Sequence, residues 1–142
     1  MTVLGCDVRD LRLADVELVD FDSLLRRADV VSIHIHLTEE NRSLFDHAVI
    51  GRMKPGSVLI NTSRGAIVDE SAVLDALESG HLGAYGTDVI DGEWRDDLDR
   101  HPLIVYARHH ENCVITPHIG GVTHESQAMA YGHAARRLVA FF

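Results

Sequence analysis

The chain has 142 residues, of which 46% are hydrophobic and 25% are charged, a composition typical of one globular domain with its own core. Its formal net charge of −9 argues against nucleic acid as a partner, because phosphates require clustered Lys and Arg. No apolar run approaches the ~20 residues that cross a bilayer, and the N-terminus has no signal-peptide pattern. We therefore expect no membrane association and a cytoplasmic location.

The sulfur and imidazole side chains do not form a recognisable metal motif. Cys6 and Cys113 each lie in an apolar, strand-like run, which predicts reduced, buried thiols. Ten histidines are many for this length, but His34 and His36 alternate on a strand, and the sequence contains neither H-E-x-x-H nor Cys-x-x-Cys. We expect no metal site.

Apolar runs and helical spacings alternate along the chain. A strand at 3–6 is followed by a helix at 21–28 and a strand at 30–35, then by a short helix at 44–49 and a strand at 57–60. A helix after Asp69 ends at Gly80, and a strand at 83–87 follows. Residues 91–111 are predicted to be irregular, before a strand at 113–115 and a helix from Thr123 to the C-terminus.

This alternation predicts an α/β fold, because strands joined by crossover helices form a parallel sheet covered on both faces. Asp20 or Asp22 is placed to cap the first helix, and Asp69 the third. Ligands of such sheets bind beyond the carboxyl ends of the strands. Asp7, the segment 61–65, Asp88 and His118 all fall at those ends.

Three segments at the strand ends supply groups suited to acid–base chemistry. Arg64, in segment 61–65, can bind a carboxylate with two hydrogen bonds, although it can equally be a capping or surface residue. His118, in segment 116–121, is a natural proton donor near neutral pH, although a lone His is more often structural. Glu93, in segment 88–93, can orient that imidazole or be a solvated loop acid beside Asp91 and Asp96.

In this order, the three segments resemble the motifs of the D-isomer-specific 2-hydroxyacid dehydrogenases. The resemblance implies that residues 1–142 form a partial NAD(P)-binding Rossmann-like domain, with a doubly wound parallel sheet that lacks its first βα unit and the substrate domain. It also implies reversible hydride transfer between NAD(H) and a small 2-keto or 2-hydroxy acid. In that reaction Arg64 binds the acid, His118 is the general acid and base, and Glu93 orients His118. Family members usually have an aromatic residue where Ile90 stands and Pro where Trp94 stands.

The resemblance also identifies a set of cofactor-binding positions at the strand ends. They are Asp7, His36, Leu37, Thr38, Thr62, Ser63, Arg64, Asp88, His118, Gly120 and Gly121. A carboxylate at Asp7 can accept both ribose hydroxyls and repels a 2′-phosphate, which favours NAD over NADP, and Arg9 softens that preference. The family often has Pro at the position of His36.

The family comparison also predicts partners. The family's first strand would lie between the strand ending at Asp7 and the strand ending at Asn61, and without it two apolar strand edges are bare. Together with the apolar end at Phe141 and Phe142, this predicts a homo-oligomer or a complementing chain. The alternative function is a non-catalytic fragment that acts as a subunit or interaction module.

Overall fold

The computed structural model describes residues 1–9, 11 and 13–141, in which six strands form two parallel sheets. The smaller sheet pairs β1 (Leu4–Gly5) with β2 (Glu17–Leu18). The larger sheet has the order β3-β4-β5-β6. Its strands are β3 (Val30–Ile33), β4 (Ser57–Asn61), β5 (Leu82–Thr87) and β6 (Cys113–Ile115). The parallel sheet and its crossover helices confirm the predicted α/β, Rossmann-like class.

The described residues also form five α-helices and three short 3₁₀ turns. The helices are α1 (Phe21–Arg27), α2 (His47–Ile50), α3 (Glu70–Glu78), α4 (Pro102–Ala107) and α5 (His124–Phe141). The 3₁₀ turns are Glu39–Asn41, Gly65–Ile67 and Leu98–Arg100. None of the helices in the described ranges is long and apolar enough to cross a membrane.

Side-chain caps fix where two of the predicted helices begin. Asp20 accepts a hydrogen bond of 2.8 Å from the Ser23 amide, and Asp69 accepts one of 3.0 Å from the Ser71 amide. Both bonds satisfy amides that have no partner inside the helix. The prediction of an irregular stretch at 91–111 is wrong over α4, which begins with Pro102 in the first turn, where the missing amide costs nothing.

One row of side chains shows where the core lies. Val31, Leu59, Tyr85 and Cys113 are in register across the four strands, and all four are buried. Because side chains alternate along a strand, the next row points to the opposite face of the sheet. That second face is only partly covered, and Val30 and Val114 are 54% and 59% exposed there.

Two further expectations from the sequence are wrong. The strand ending at Asn61 does not border a gap, because β4 pairs with β3 on one side and β5 on the other. Successive βα units step along the sheet in chain order, which leaves β3 at the edge. Cys6 is exposed rather than buried because it follows β1 at the surface, whereas Cys113 is buried and burial raises its pKa to about 11.

The predicted apolar C-terminus falls partly within the described residues. Phe141 is exposed at the end of α5, and Phe142 lies outside the residues that the structure describes. None of the described residues of α5 is buried.

Candidate active site

His118 and Glu93 form a direct pair beyond the ends of β6 and β5. The Nδ1 atom of His118 lies 2.7 Å from Oε1 of Glu93, within hydrogen-bonding distance. Both side chains retain contact with solvent, at 40% exposure for His118 and 22% for Glu93. An ionised Glu93 can only accept, so it selects the tautomer with the proton on Nδ1 and leaves Nε2 for a bound molecule.

The turn that carries His118 is held by Asp88. His118 has a φ of 53°, a left-handed conformation that is uncommon for residues other than glycine. Asp88 accepts hydrogen bonds from the amides of Ile119 and Gly120, at 3.0 and 2.9 Å, and from the hydroxyl of Thr116. Burial acts to raise the pKa of Asp88, but these hydrogen bonds outweigh it and lower that pKa. The carboxylate therefore positions the turn that carries His118, a role that the sequence did not predict for it.

Gly120 and Gly121 differ in their surroundings. A Cβ atom on Gly120 would lie 3.0 Å from Oδ2 of Asp88, so the absence of a side chain lets the turn close on that carboxylate. A Cβ on Gly121 would meet nothing within 4 Å. Of the two, only Gly121 faces open space where another molecule can approach.

The loop that carries Arg64 is closed by the buried side chain of Asn61. Its Nδ2 donates to the Arg64 carbonyl at 2.9 Å, and its Oδ1 accepts from the Ser63 amide at 3.0 Å. The hydroxyl of Ser63 donates to the carbonyl of Ile33 on β3 at 2.9 Å. In the described part of the chain, Arg64 has no carboxylate partner, and its guanidinium donates only to the Ser63 carbonyl. Arg64 is exposed and available to an anionic ligand.

Several predicted cofactor positions line one cavity beside Arg64. His34, Ile35, His36, Leu37, Ser63 and Arg64 surround a volume of about 590 Å³. The adjoining turn is fixed by Asn41, whose Oδ1 accepts from the Thr38 amide at 2.8 Å and whose Nδ2 donates to the His36 carbonyl at 2.7 Å. Thr38 and Thr62 do not line this cavity, although Thr62 is exposed directly after β4.

The Glu93–His118 pair borders a second cavity of about 600 Å³, which Asp88 and Trp94 also line. Arg64 is not among its lining residues. The structure therefore brings Glu93, His118 and Asp88 into one group and places Arg64 with His36 and Leu37 in another. Both groups lie at the carboxyl edge of the sheet, with Arg64 after β4 and His118 after β6, on either side of β5.

Asp7 lies apart from both cavities, after β1 of the two-stranded sheet. Arg9 donates to it from the backbone amide at 2.9 Å and from Nε at 3.1 Å. The hydrogen bond from the Arg9 guanidinium lowers the pKa of the Asp7 carboxyl. Arg9 therefore occupies the carboxylate that was predicted to bind ribose.

A buried contact that the sequence did not predict joins the Arg64 and Glu93 loops. Gly65 packs against the peptide between Ile90 and Asp91, where an added Cβ would lie 2.1 Å from the Ile90 carbonyl carbon. Beside it, Oε1 of Glu70 accepts from the Asp91 amide at 2.9 Å. Asp91 is 21 residues from Glu70, so spacing gave no signal for this pair.

Metal binding finds no support in the described ranges, where no group of three or more His, Cys, Asp or Glu side chains is arranged to hold an ion. At the sheet edge, His118 is instead paired with Glu93, and Asp88 with backbone amides. Chemically, the edge offers a proton carrier at His118 and an anion-binding group at Arg64.

Comparison with known proteins identifies the family of this chain. Residues 1–120 match the model described as D-isomer specific 2-hydroxyacid dehydrogenase, NAD binding domain. The chain is 38% identical over 125 residues to a glyoxylate reductase of Thermococcus litoralis. The aligned region covers 88% of this chain and 36% of that protein. It is 41% identical over 115 residues to a D-3-phosphoglycerate dehydrogenase of Mycobacterium leprae. The aligned region covers 81% of this chain and 20% of that protein.

The fold comparison agrees. A crystal structure of D-lactate dehydrogenase from Aquifex aeolicus, complexed with NAD and lactic acid, superposes with a TM-score of 0.82 at 30% identity. The match covers 99% of this chain and 46% of that protein. The chain thus spans less than half the length of each of these three proteins. It belongs to the D-isomer-specific 2-hydroxyacid dehydrogenase family, whose NAD-binding domain it matches.

Proposed function

We propose that this chain carries the proton-transfer residues and part of the cofactor site of an NAD-dependent dehydrogenase for a small 2-hydroxy or 2-keto acid. The observation that carries the proposal is the 2.7 Å contact between Nδ1 of His118 and Oε1 of Glu93. A carboxylate in that position fixes the tautomer of the imidazole and stabilises its charged form. Family membership adds the expectation of hydride chemistry. We also infer a cytoplasmic enzyme, as the sequence predicts.

The residues beside Arg64 suit a nucleotide cofactor. The cavity of about 590 Å³ lies at the carboxyl ends of β3 and β4, and its volume is in the range of small-molecule sites. His36, Leu37 and Ser63 would contact the cofactor, with Thr38, Thr62, Gly120 and Gly121 beside it. Asp7 would accept ribose hydroxyls after releasing Arg9. When bound, the nicotinamide supplies or accepts the hydride.

The protein's own groups would handle the proton and the carboxylate. His118 donates a proton from Nε2 to the carbonyl oxygen of the keto acid, and in the reverse direction the same atom takes the proton from the hydroxyl. Glu93 accepts from Nδ1 throughout and offsets the positive charge on the ring. The guanidinium of Arg64 binds the carboxylate of the acid with two parallel hydrogen bonds.

NADH consumption tests this proposal, with glyoxylate, pyruvate, hydroxypyruvate and 2-oxoglutarate as acceptors. The informative variant is His118→Asn, because Asn tolerates the left-handed φ of 53° better than Ala does. We expect a fall of about 10²–10⁴-fold in turnover, the usual contribution of a general acid. His109→Asn is the matched control, since His109 is an exposed histidine outside both cavities. Equal and measurable turnover in the two variants would reject the role of His118.

Arg64→Lys tests the second role. Lysine keeps the positive charge but loses the planar fork, so we expect KM for the keto acid to rise by about tenfold or more while the protein stays folded. An unchanged KM would remove Arg64 from the substrate site.

A subunit or interaction module is the second candidate function. The observation that favours it is the partly covered second face of the large sheet, where Val30 and Val114 are more than half exposed. Under this proposal, the chain assembles as a homo-oligomer or with a complementing chain that covers the face. Size-exclusion chromatography with light scattering tests it, and a stable monomer that shows NADH turnover would contradict it.

A further inference from the structure

A single partly buried carboxylate touches both ends of the loop that carries Glu93. Oε1 of Glu70 accepts a 2.9 Å hydrogen bond from the Asp91 amide at the start of this loop. Oε2 of the same side chain lies 3.1 Å from Nε2 of His101 at its end. The Glu70 and His101 side chains are only 15% and 10% exposed.

The geometry points to Glu70, with His101, as a clamp that positions Glu93 for its contact with His118. Glu70 is therefore a positioning residue, which acts through Glu93 and does not itself touch His118. The inference uses the proposed function only for the roles of Glu93 and His118 in proton transfer.

The surroundings of Glu70 support this role. It is the first residue of α3, where a negative charge is favourable, and Asp69 before it caps the same helix. His101 comes directly before Pro102, so Glu70 also contacts the residue that precedes α4. One side chain thus ties α3, the start of α4 and the end of the segment after β5.

The interior of the loop is also ordered by short-range bonds. Gly92 turns the chain at a φ of 72°, and its carbonyl accepts from the Arg95 amide at 3.0 Å. Arg95 makes two hydrogen bonds of 2.9 Å to the carboxylate of Asp97. A loop that is ordered internally and held at both ends moves as a unit, so releasing the Asp91 end displaces Glu93 two residues later.

Burial makes this arrangement costly unless both oxygens are used. Desolvation raises the pKa of the Glu70 carboxyl, and the Asp91 amide and His101 act against that effect. The Nδ1 atom of His101 is buried without a hydrogen-bond partner in the described residues. The contact at Nε2 is therefore the polar interaction that accounts for an imidazole at this position.

Two conservative variants distinguish the effect of the length of the Glu70 side chain from that of its charge. Glu70→Asp keeps the charge at the start of α3 but shortens the side chain by one methylene, which withdraws the carboxylate from the Asp91 amide. Glu70→Gln keeps the length and an oxygen that accepts from that amide. Asp69→Ala is the matched control, because it weakens the same end of α3 without removing either contact of Glu70.

The measurements are made on the 142-residue chain by NMR, and neither requires turnover. The first is hydrogen exchange of the Asp91 amide. The second is the ring-nitrogen spectrum of His118, which reports the proton held on Nδ1 by Glu93. With Glu70→Asp we expect Asp91 to exchange at least about tenfold faster, the effect of losing one hydrogen bond of ordinary net strength, and the Nδ1–H signature to be lost. With Glu70→Gln and Asp69→Ala we expect both to stay as in the parent chain.

Two results would overturn the clamp: an unchanged Asp91 amide and His118 signature in Glu70→Asp, or the same changes in Asp69→Ala. Because these signals are independent of NADH, a chain without turnover can still confirm the clamp. Conversely, an active chain whose signals do not respond to Glu70→Asp would reject the clamp alone.

Discussion

Replacing Gly65 by alanine should disturb the Arg64 and Glu93 loops together, because Gly65 lies at their point of contact. A Cβ atom there would stand 2.1 Å from the carbonyl carbon of Ile90 and 2.2 Å from the amide nitrogen of Asp91. Ordinary contact begins at 3.4 Å, so the two segments must separate by about 1.3 Å. The atoms that block the methyl group are backbone atoms, which cannot rotate away as a side chain can.

Overpacking of this kind costs about 1–3 kcal/mol, and we expect the upper end of that range, about 3 kcal/mol, because two backbone segments must move. For a chain of this size, that free-energy loss corresponds to a fall of roughly 6–12 °C in Tm. The cost is steric alone, because Gly65 does not have the positive φ that would make any side chain unfavourable.

Urea unfolding followed by circular dichroism measures this loss. Gly121→Ala is the matched control, since a methyl group there meets nothing within 4 Å and should change the free energy of unfolding by less than about 0.5 kcal/mol. If Gly65→Ala unfolds at the same urea midpoint as Gly121→Ala, the two loops are not packed as described. The same variant should also accelerate exchange of the Asp91 amide, since Glu70 and Gly65 hold the same peptide.

Three further predictions concern individual carboxylates. Hydrogen bonds lower the pKa of Asp88, so its stabilisation of the turn is present above its ordinary pKa of about 4 and is lost as the pH falls through the lower folded value. The Gly120 amide signal should follow that titration and cease to do so in Asp88→Asn. Asp69→Ala should lower the free energy of unfolding by about 1 kcal/mol in urea, the usual cost of losing an N-cap. Arg9→Ala should raise the pKa of Asp7 towards its ordinary value, which a carboxyl NMR titration would detect.

Much of the fold was predictable because it depends on local pattern. The strands around Val31, Leu59 and Cys113 were found from apolar runs, and the start of α3 from Asp69. Other elements depend on distant contacts. Phe45 was assigned to a helix, but it forms a parallel bridge with Val68 before α2 begins.

The candidate site divides in the same way. Arg64, Glu93 and His118 could be proposed from the sequence because each lies in a short motif with a fixed order, and the structure pairs Glu93 with His118. The contacts around them were not predictable, since Glu70 meets Asp91 across 21 residues. Asp88 was predicted as a cofactor position, but its contact with Gly120 spans 32 residues and gave no signal. α4 was missed because the charged residues before Pro102 obscure a helix of only six residues.

Hydroxyl groups hydrogen-bond each strand end to that of the neighbouring strand in the large sheet. These bonds explain how the candidate site can be ordered by the chain alone. Ser63 donates to Ile33 across β4 and β3, Thr87 donates to Asn61 across β5 and β4, and Thr116 donates to Asp88 beyond β6 and β5. Each motif loop is therefore bonded to its neighbour by groups that need no ligand. Under the proposed function, absent turnover with the His118–Glu93 contact intact would consequently indicate a fault in cofactor or substrate binding, because that contact forms without either.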